Sequence, residues 1–225
     1  MQFDLASQSL REINAALHHS DREDGEKFLI AHPKGTHSVA VGLTDAIDVT
    51  IDGHVGYYCA GMNKNASIHI AGNAGPGLAE NMMSGKVVVD GNASQYAGAS
   101  GHGGLLVIKG NTSSRCGISM KGINIVVGGS IGHFGAFMAQ SGRLVVCGDC
   151  GGNLGDSIYE AHIFVRGEID SLGSDCIEKE MTPDHQRELQ NLLQNAGLQY
   201  SAAEFRRYGS ERTLYNFHID NADAI

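Results

Sequence analysis

Residues 86–104 read KVVVDGNASQYAGASGHGG, residues 105–123 LLVIKGNTSSRCGISMKGI and residues 124–142 NIVVGGSIGHFGAFMAQSG, three blocks of equal length that each bring an apolar run to a glycine at the sixth position. The register continues in both directions without insertion. Seven blocks of nineteen residues begin at Asp48, Ser67, Lys86, Leu105, Asn124, Arg143 and His162, and their sixth residues are Gly53, Gly72, Gly91, Gly110, Gly129, Gly148 and Gly167. The second positions are Val49, Ile68, Val87, Leu106, Ile125, Leu144 and Ile163; the fourth are Ile51, Ile70, Val89, Ile108, Val127, Val146 and Val165. Two apolar, mostly β-branched positions separated by one residue and stopped by glycine describe a short strand entering a turn that requires positive φ or a close backbone approach.

Strands that recur at a fixed register stack in parallel, and their inward ladders form a continuous interior with rungs about 4.8 Å apart. The spacing therefore predicts an all-β chain, a parallel β-helix of seven turns over residues 48–180, right-handed because parallel crossovers almost always are. Pro76, the one proline of the repeat region, falls in a turn. Residues 1–47 are expected to supply an N-terminal helix and capping segment, with Ser9 and Glu12 as a capping box ahead of Leu10, Ile13 and Leu17. Residues 181–225 are expected to form a C-terminal helix and tail, with Thr182 as N-cap, Pro183 at the first helical position and Gly197 at the end. Such segments close the edges that a solenoid leaves open.

The 225 residues carry 16 Lys plus Arg against 25 Asp plus Glu, a net charge of −9 that disfavours nucleic acid and anionic membrane surfaces as partners. The first thirty residues mix charged and apolar side chains, so neither a secretory h-region nor a spanning stretch is present there. Five cysteines, an odd number, suit reduced thiols and a cytoplasmic location. Between Gly91 and Gly142 there is no acidic residue, only Lys109, Arg115 and Lys121. That section either faces an acidic partner or reflects tight turns with little room for charge.

If positions two and four point inward, position three points outward, yet it reads Val88, Val107, Val126, Val145 and Phe164 on five consecutive rungs. Burying each such side chain is worth roughly 1.5–3 kcal/mol, so the stripe calls for a cover: the chain's own terminal helices or another subunit.

Candidate chemistry is sparse. Cys147 and Cys150 form a CxxC pair with no second pair beside it and flank the turn residue Gly148, so they read as small packing residues, as do Cys59, Cys116 and Cys176. The histidines show no HxxxH or HExxH spacing, and every glycine cluster leads back into a strand rather than into a phosphate-cradling helix. The most varied polar groups, Tyr57, Tyr58, Met62, Asn63, Glu80, Asn81, Met82, His102, Arg115 and Lys121, lie in the long turns after the glycines. They describe a polar, Met-rich edge that borders a ligand path or an interface, or packs as ordinary turns. No catalytic, cofactor or metal residue is assigned.

The spaced glycines Gly53-x-x-Gly56, Gly72-x-x-Gly75, Gly129-x-x-Gly132-x-x-Gly135 and Gly148-x-x-Gly151-x-x-x-Gly155 resemble the GXGXG domain, the C-terminal β-helix of the glutamate synthase large chain. The strings GYYCAGMNKNA, AENMMSG, QYAGASGHGGLLVIKGNTSSRCGISMKGI, GDSIYEA and DCIEKEM are most similar to the free-standing version of that domain, the group that includes the β-helical subunit of N-methylglutamate synthase and glutamate-synthase-like proteins. The resemblance covers about residues 25–185. It implies a hetero-oligomer in which a class II glutaminase-like subunit handles the amide nitrogen and an FMN-binding synthase-like subunit with an iron–sulfur cluster performs the redox step. In that family the β-helix holds neither the flavin nor the nucleophilic cysteine but braces the catalytic subunits and helps enclose the path between them, and the second residue here is Gln2. The GXGXG-coil subunit of formylmethanofuran dehydrogenase and formyltransferase/hydrolase complexes is a related alternative. A free-standing carbohydrate-active β-helix, an alternative of another class, needs clustered acids, which the middle section lacks.

Overall fold

The computed structural model describes residues 1–18 and 24–212. A single sheet runs the length of the molecule. Its strands are β1 (Gln2–Asp4), β2 (Lys27–Ala31), β3 (Asp48–Asp52), β4 (Ser67–Ile70), β5 (Lys86–Val89), β6 (Leu105–Ile108), β7 (Lys121–Val127), β8 (Ser141–Val146), β9 (His162–Val165), β10 (Cys176–Lys179) and β11 (Arg206–Ser210). They lie in the order β1 to β9, then β11, then β10, and every pair from β1 to β9 is parallel. From β3 to β9 the partners are nineteen apart, as in Val49↔Ile68 and Ile68↔Val87, which is a right-handed parallel β-helix of about seven turns. One more rung precedes them: β2 pairs with β3 at an offset of 21, Lys27↔Asp48. Its sixth position is His32 rather than glycine, which hides it from a search for the repeat.

Both predicted interior ladders are buried, Val49 and Ile51 on the first rung through Ile163 and Val165 on the last. The repeated glycines work differently from a positive-φ turn. Of the seven only Gly53 has φ in the left-handed region, +137°. The others are required by approach: a Cβ on Gly110 would stand 2.7 Å from the Gly91 carbonyl oxygen, and Gly72, Gly91, Gly129, Gly148 and Gly167 face the same obstacle. Gly91 donates its N–H to the Gly72 carbonyl at 3.0 Å, Gly110 to Gly91 at 3.0 Å and Gly129 to Gly110 at 2.9 Å.

Position seven stitches the same seam from the outside. The side chains of His54, Asn73, Asn92, Asn111, Ser130 and Asp149 each accept the backbone N–H of the residue nineteen further on, at 2.8–2.9 Å. Single bridges at position eight, from Val55↔Ala74 to Cys150↔Ile169, form a second short wall.

The remainder of each turn is an arch in which alternate residues take left-handed backbone. In one rung these are Arg115 (φ 59°), Gly117 (69°) and Ser119 (53°); in the next Phe134 (58°), Ala136 (54°) and Met138 (54°). Such conformations cost a non-glycine residue about 1 kcal/mol each. The alternation turns successive N–H groups to opposite rungs: Arg115 donates forward to His133 and Ser119 to Phe137, both at 2.8 Å, while Gly117 donates back to Ala97 at 2.8 Å and Lys121 to Gly101 at 2.7 Å. Buried backbone groups left unpaired would cost more than the strain.

The helices cover different surfaces. Helix α1 (Leu10–Leu17) begins at the Ser9/Glu12 capping box and buries Ile13 and Leu17 in the main core. Helix α2 (Pro183–Ala196) begins at Thr182 and ends at Gly197 in the left-handed conformation. Its Leu189, Leu192, Leu193 and Ala196 form a second core with Val107, Val126, Val145 and Phe164, and Val88 is half-buried at the margin. The outward apolar stripe is therefore covered by the chain's own helix and does not serve as a subunit surface. The exposed edge of β9 is closed by β11, which enters antiparallel between β9 and β10. Residues 213–225 of the expected tail lie outside the described residues.

Gly110→Val is expected to lose about 3 kcal/mol or more of stability, because the branched side chain collides with the Gly91 backbone; urea unfolding followed by circular dichroism measures this. Val126→Lys buries a charge beneath α2, so the helix is expected to detach while the coil persists, read as new proteolytic cleavage within residues 183–196.

Candidate functional site

The arches form one long edge of the coil, and most of the sequence-derived site residues sit there without forming one cluster. Tyr57 is 51% exposed and Met62 45%, His102 and Lys121 are exposed, and Tyr58, Glu80, Asn81 and Arg115 are half-buried. Two do not belong to the edge. Asn63 is fully buried and its Nδ2 donates to the carbonyls of Ala66 at 2.8 Å and Ser84 at 3.2 Å, tying two rungs together; Met82 is fully buried in the main core. Both occupy position sixteen, which the arch turns inward.

Three further residues belong to the edge: the reading of the polar turns takes in Met83 with the segment 80–83 but misses Met138 and Tyr159. Met83 and Met138, each 46% exposed, and Tyr159, 40% exposed, stand at positions seventeen, fifteen and seventeen. Aligning the arches by position would show them, since positions fifteen and seventeen flank the inward sixteenth. The edge thus carries a series of apolar and aromatic side chains in water: Tyr57, Met62, Met83, Met138, Tyr159 and, at 36%, Leu172. The Tyr57 ring also packs at a tilt against His37, 4.5 Å between centroids, and the His37 Nδ1 accepts the Tyr57 N–H at 3.1 Å.

The acid-free section does not make a basic face. Lys109, Arg115 and Lys121 are six residues apart around a nineteen-residue turn and so occupy different parts of its circumference. Lys109 binds Asp90 at 2.7 Å, and this bond, with His69 at 2.9 Å on the other oxygen, holds the Asp90 carboxyl below its usual range. The Arg115 guanidinium lies 5.7 Å from the Phe134 ring centre.

The cysteines are packing residues. Cys147 lies in the core beneath α2 whereas Cys150 lies in the main core, on the other side of the wall. Among the described residues no group of three or more His, Cys, Asp or Glu is placed to hold a metal ion. Burial pushes the thiols of Cys59, Cys116, Cys147 and Cys150 up to about 12 and that of Cys176 to about 11. The native chain is expected to resist iodoacetamide at pH 8 and to label at five sites after unfolding, scored by intact mass. Because the folded thiols hold their protons longer than unfolded ones, stability is full below pH 9 and falls as pH rises toward 12, a trend that alkaline unfolding curves would show.

No helix among the described residues is long and apolar enough to cross a membrane. No family model matches the sequence. A curated relative, Protein GlxC of Rhizobium meliloti (strain 1021), is 60% identical over 223 residues, covering 98% of each chain. Identity of that extent leaves no room for a different fold or domain order, and the chain belongs to the family of Protein GlxC.

Proposed function

We propose that this chain is the structural, interface-forming subunit of a glutamate-synthase-like or N-methylglutamate synthase complex, bracing a class II glutaminase-like subunit and an FMN-binding synthase-like subunit and helping to enclose the ammonia or amine path between them. The observation that carries the proposal is the arch edge. A coil that buries its wall stripe under its own helix leaves Met62, Met83, Met138 and Tyr159 exposed at positions fifteen and seventeen of the arches. A run of large apolar side chains on one face marks a protein interaction surface more than scattered exposure does. The strings that resemble the free-standing GXGXG subunits lie largely on the same arches: GYYCAGMNKNA spans residues 56–66, AENMMSG 79–85 and GDSIYEA 155–161. On this reading flavin and iron–sulfur cluster belong to a partner, and this chain contributes shape, apolar contact and part of the enclosing wall.

The test is purification of the tagged chain from its native host, with the visible spectrum recorded. Two larger subunits with flavin and iron–sulfur absorbance are expected, together with glutamate formation from ammonia or methylamine. Each buried apolar contact is worth roughly 1.5–3 kcal/mol, about ten- to hundredfold in affinity. Met62→Asp and Tyr159→Asp are therefore expected to release the partners while leaving the coil folded. A colourless, monomeric chain, or variants that retain their partners, would overturn the proposal, and co-elution of a formyltransferase would redirect it to the related coil.

A further inference from the structure

The C-terminal end of the sheet holds a polar cleft that meets the arch edge at Tyr159. Lys179 on β10 and Arg207 on β11 are directly opposed across the antiparallel pair. Like charges in that relation repel and destabilise the pairing. Neither cation has a carboxylate within ion-pair distance among the described residues; the Arg207 Nε donates instead to the Glu180 carbonyl oxygen at 2.8 Å. Burial pulls the Arg207 guanidinium below its usual range, only partly countered by Glu180 and Glu188.

The two side chains line a cleft of about 230 Å³ with His162, Ser210, Arg212 and Glu160. Gly209 forms part of the lining, and a Cβ there would stand 3.7 Å from the Lys179 stem. The His162 Nδ1 is buried without a hydrogen bond; the nearest carboxylate, Glu188, is 3.7 Å away and already paired with Arg143. Burial, then Arg207, lowers the pKa of His162. Arg212 is paired with Asp175 at 3.1 Å, which leaves Glu160 as the acid of the lining and Lys179 and Arg207 as its uncompensated cations.

We propose that this cleft binds a small oxyanion, a carboxylate or phosphate group, seated between Lys179 and Arg207 with the His162 ring in its wall. An anion there converts the opposed cations from a repulsive pair into a clamp. The volume is below that of pockets for drug-sized ligands, which fits a small acid rather than a nucleotide.

Isothermal titration of the full-length chain with succinate and, separately, with inorganic phosphate tests this, each against chloride at matched ionic strength. One saturable site for at least one probe is expected. Succinate alone would mark a carboxylate ligand, phosphate alone a phosphate ligand. Lys179→Met, which keeps an apolar stem over Gly209, should weaken binding at least tenfold; Lys109→Met, at a lysine paired elsewhere with Asp90, should leave it unchanged. The His162 ring resonances should also shift at saturation. The proposal is overturned by no saturable binding tighter than about 10 mM, by equal losses in the two lysine variants, or by unmoved His162 resonances.

Discussion

Each sixth-position glycine from Gly91 to Gly167 gives its N–H to the glycine one turn earlier at 2.9–3.1 Å, and that hydrogen bond holds neighbouring rungs at a distance where no Cβ fits between them. The other features of the coil follow from this contact. Its repetition every nineteen residues sets the register of the strands, so the second and fourth positions fall into unbroken interior columns. It also brings each position-seven side chain over the next position-seven N–H, and His54, Asn73, Asn92, Asn111, Ser130 and Asp149 all exploit the placement. Histidine, asparagine, serine and aspartate serve equally, because the seam needs only an acceptor at that height.

A closed interior leaves function to the outer surfaces, and the coil has three kinds. Along the wall, the apolar stripe from Val107 to Phe164 lies under α2, and Lys86 donates to the Asn195 carbonyl at 2.9 Å where the helix ends. Beyond that point position three turns polar, as His69 and Thr50, in step with the loss of cover. At the C-terminal end β11 closes the sheet edge and creates the small cationic cleft. On the remaining side the arches project methionines and tyrosines into water. Of the three, only the arch edge offers extended apolar contact, and the proposed bracing role rests on it.

The arches also explain why so many non-glycine residues accept left-handed backbone. Alternating conformation points successive N–H groups toward the rungs before and after, so a segment with few formal strands is still hydrogen-bonded on both sides. The strain at Tyr58, Arg115 or Met138 is repeated in every turn and is offset locally, and for that reason it does not by itself mark an active site. Side chains at positions fifteen and seventeen are thereby held outward on a backbone hydrogen-bonded to both neighbouring rungs, which would keep the ordering cost of docking low.

What the sequence by itself determined is the coil: a period of nineteen with glycine at the sixth place and Val or Ile at the second and fourth admits no other stacking, because periodicity and inward burial are local properties that the chain spells out. The helix caps at Ser9, Thr182 and Gly197 were legible for the same reason. The rung at Lys27–Ala31 was not, since His32 stands where the marker glycine would be and the offset is two residues longer. The sequence also named the stripe without its partner: Val107 to Phe164 required a cover, but α2 and another protein are chemically equivalent candidates until the chain is seen to fold back. Likewise Asn63 and Met82 resemble their exposed neighbours in composition, and only the alternating arch turns them inward. The facing of Lys179 and Arg207 was invisible altogether, because it arises where a strand 28 residues downstream inserts antiparallel into the sheet. Short-range pattern fixes repeats and caps, whereas long-range return of the chain decides what covers what and which charges meet.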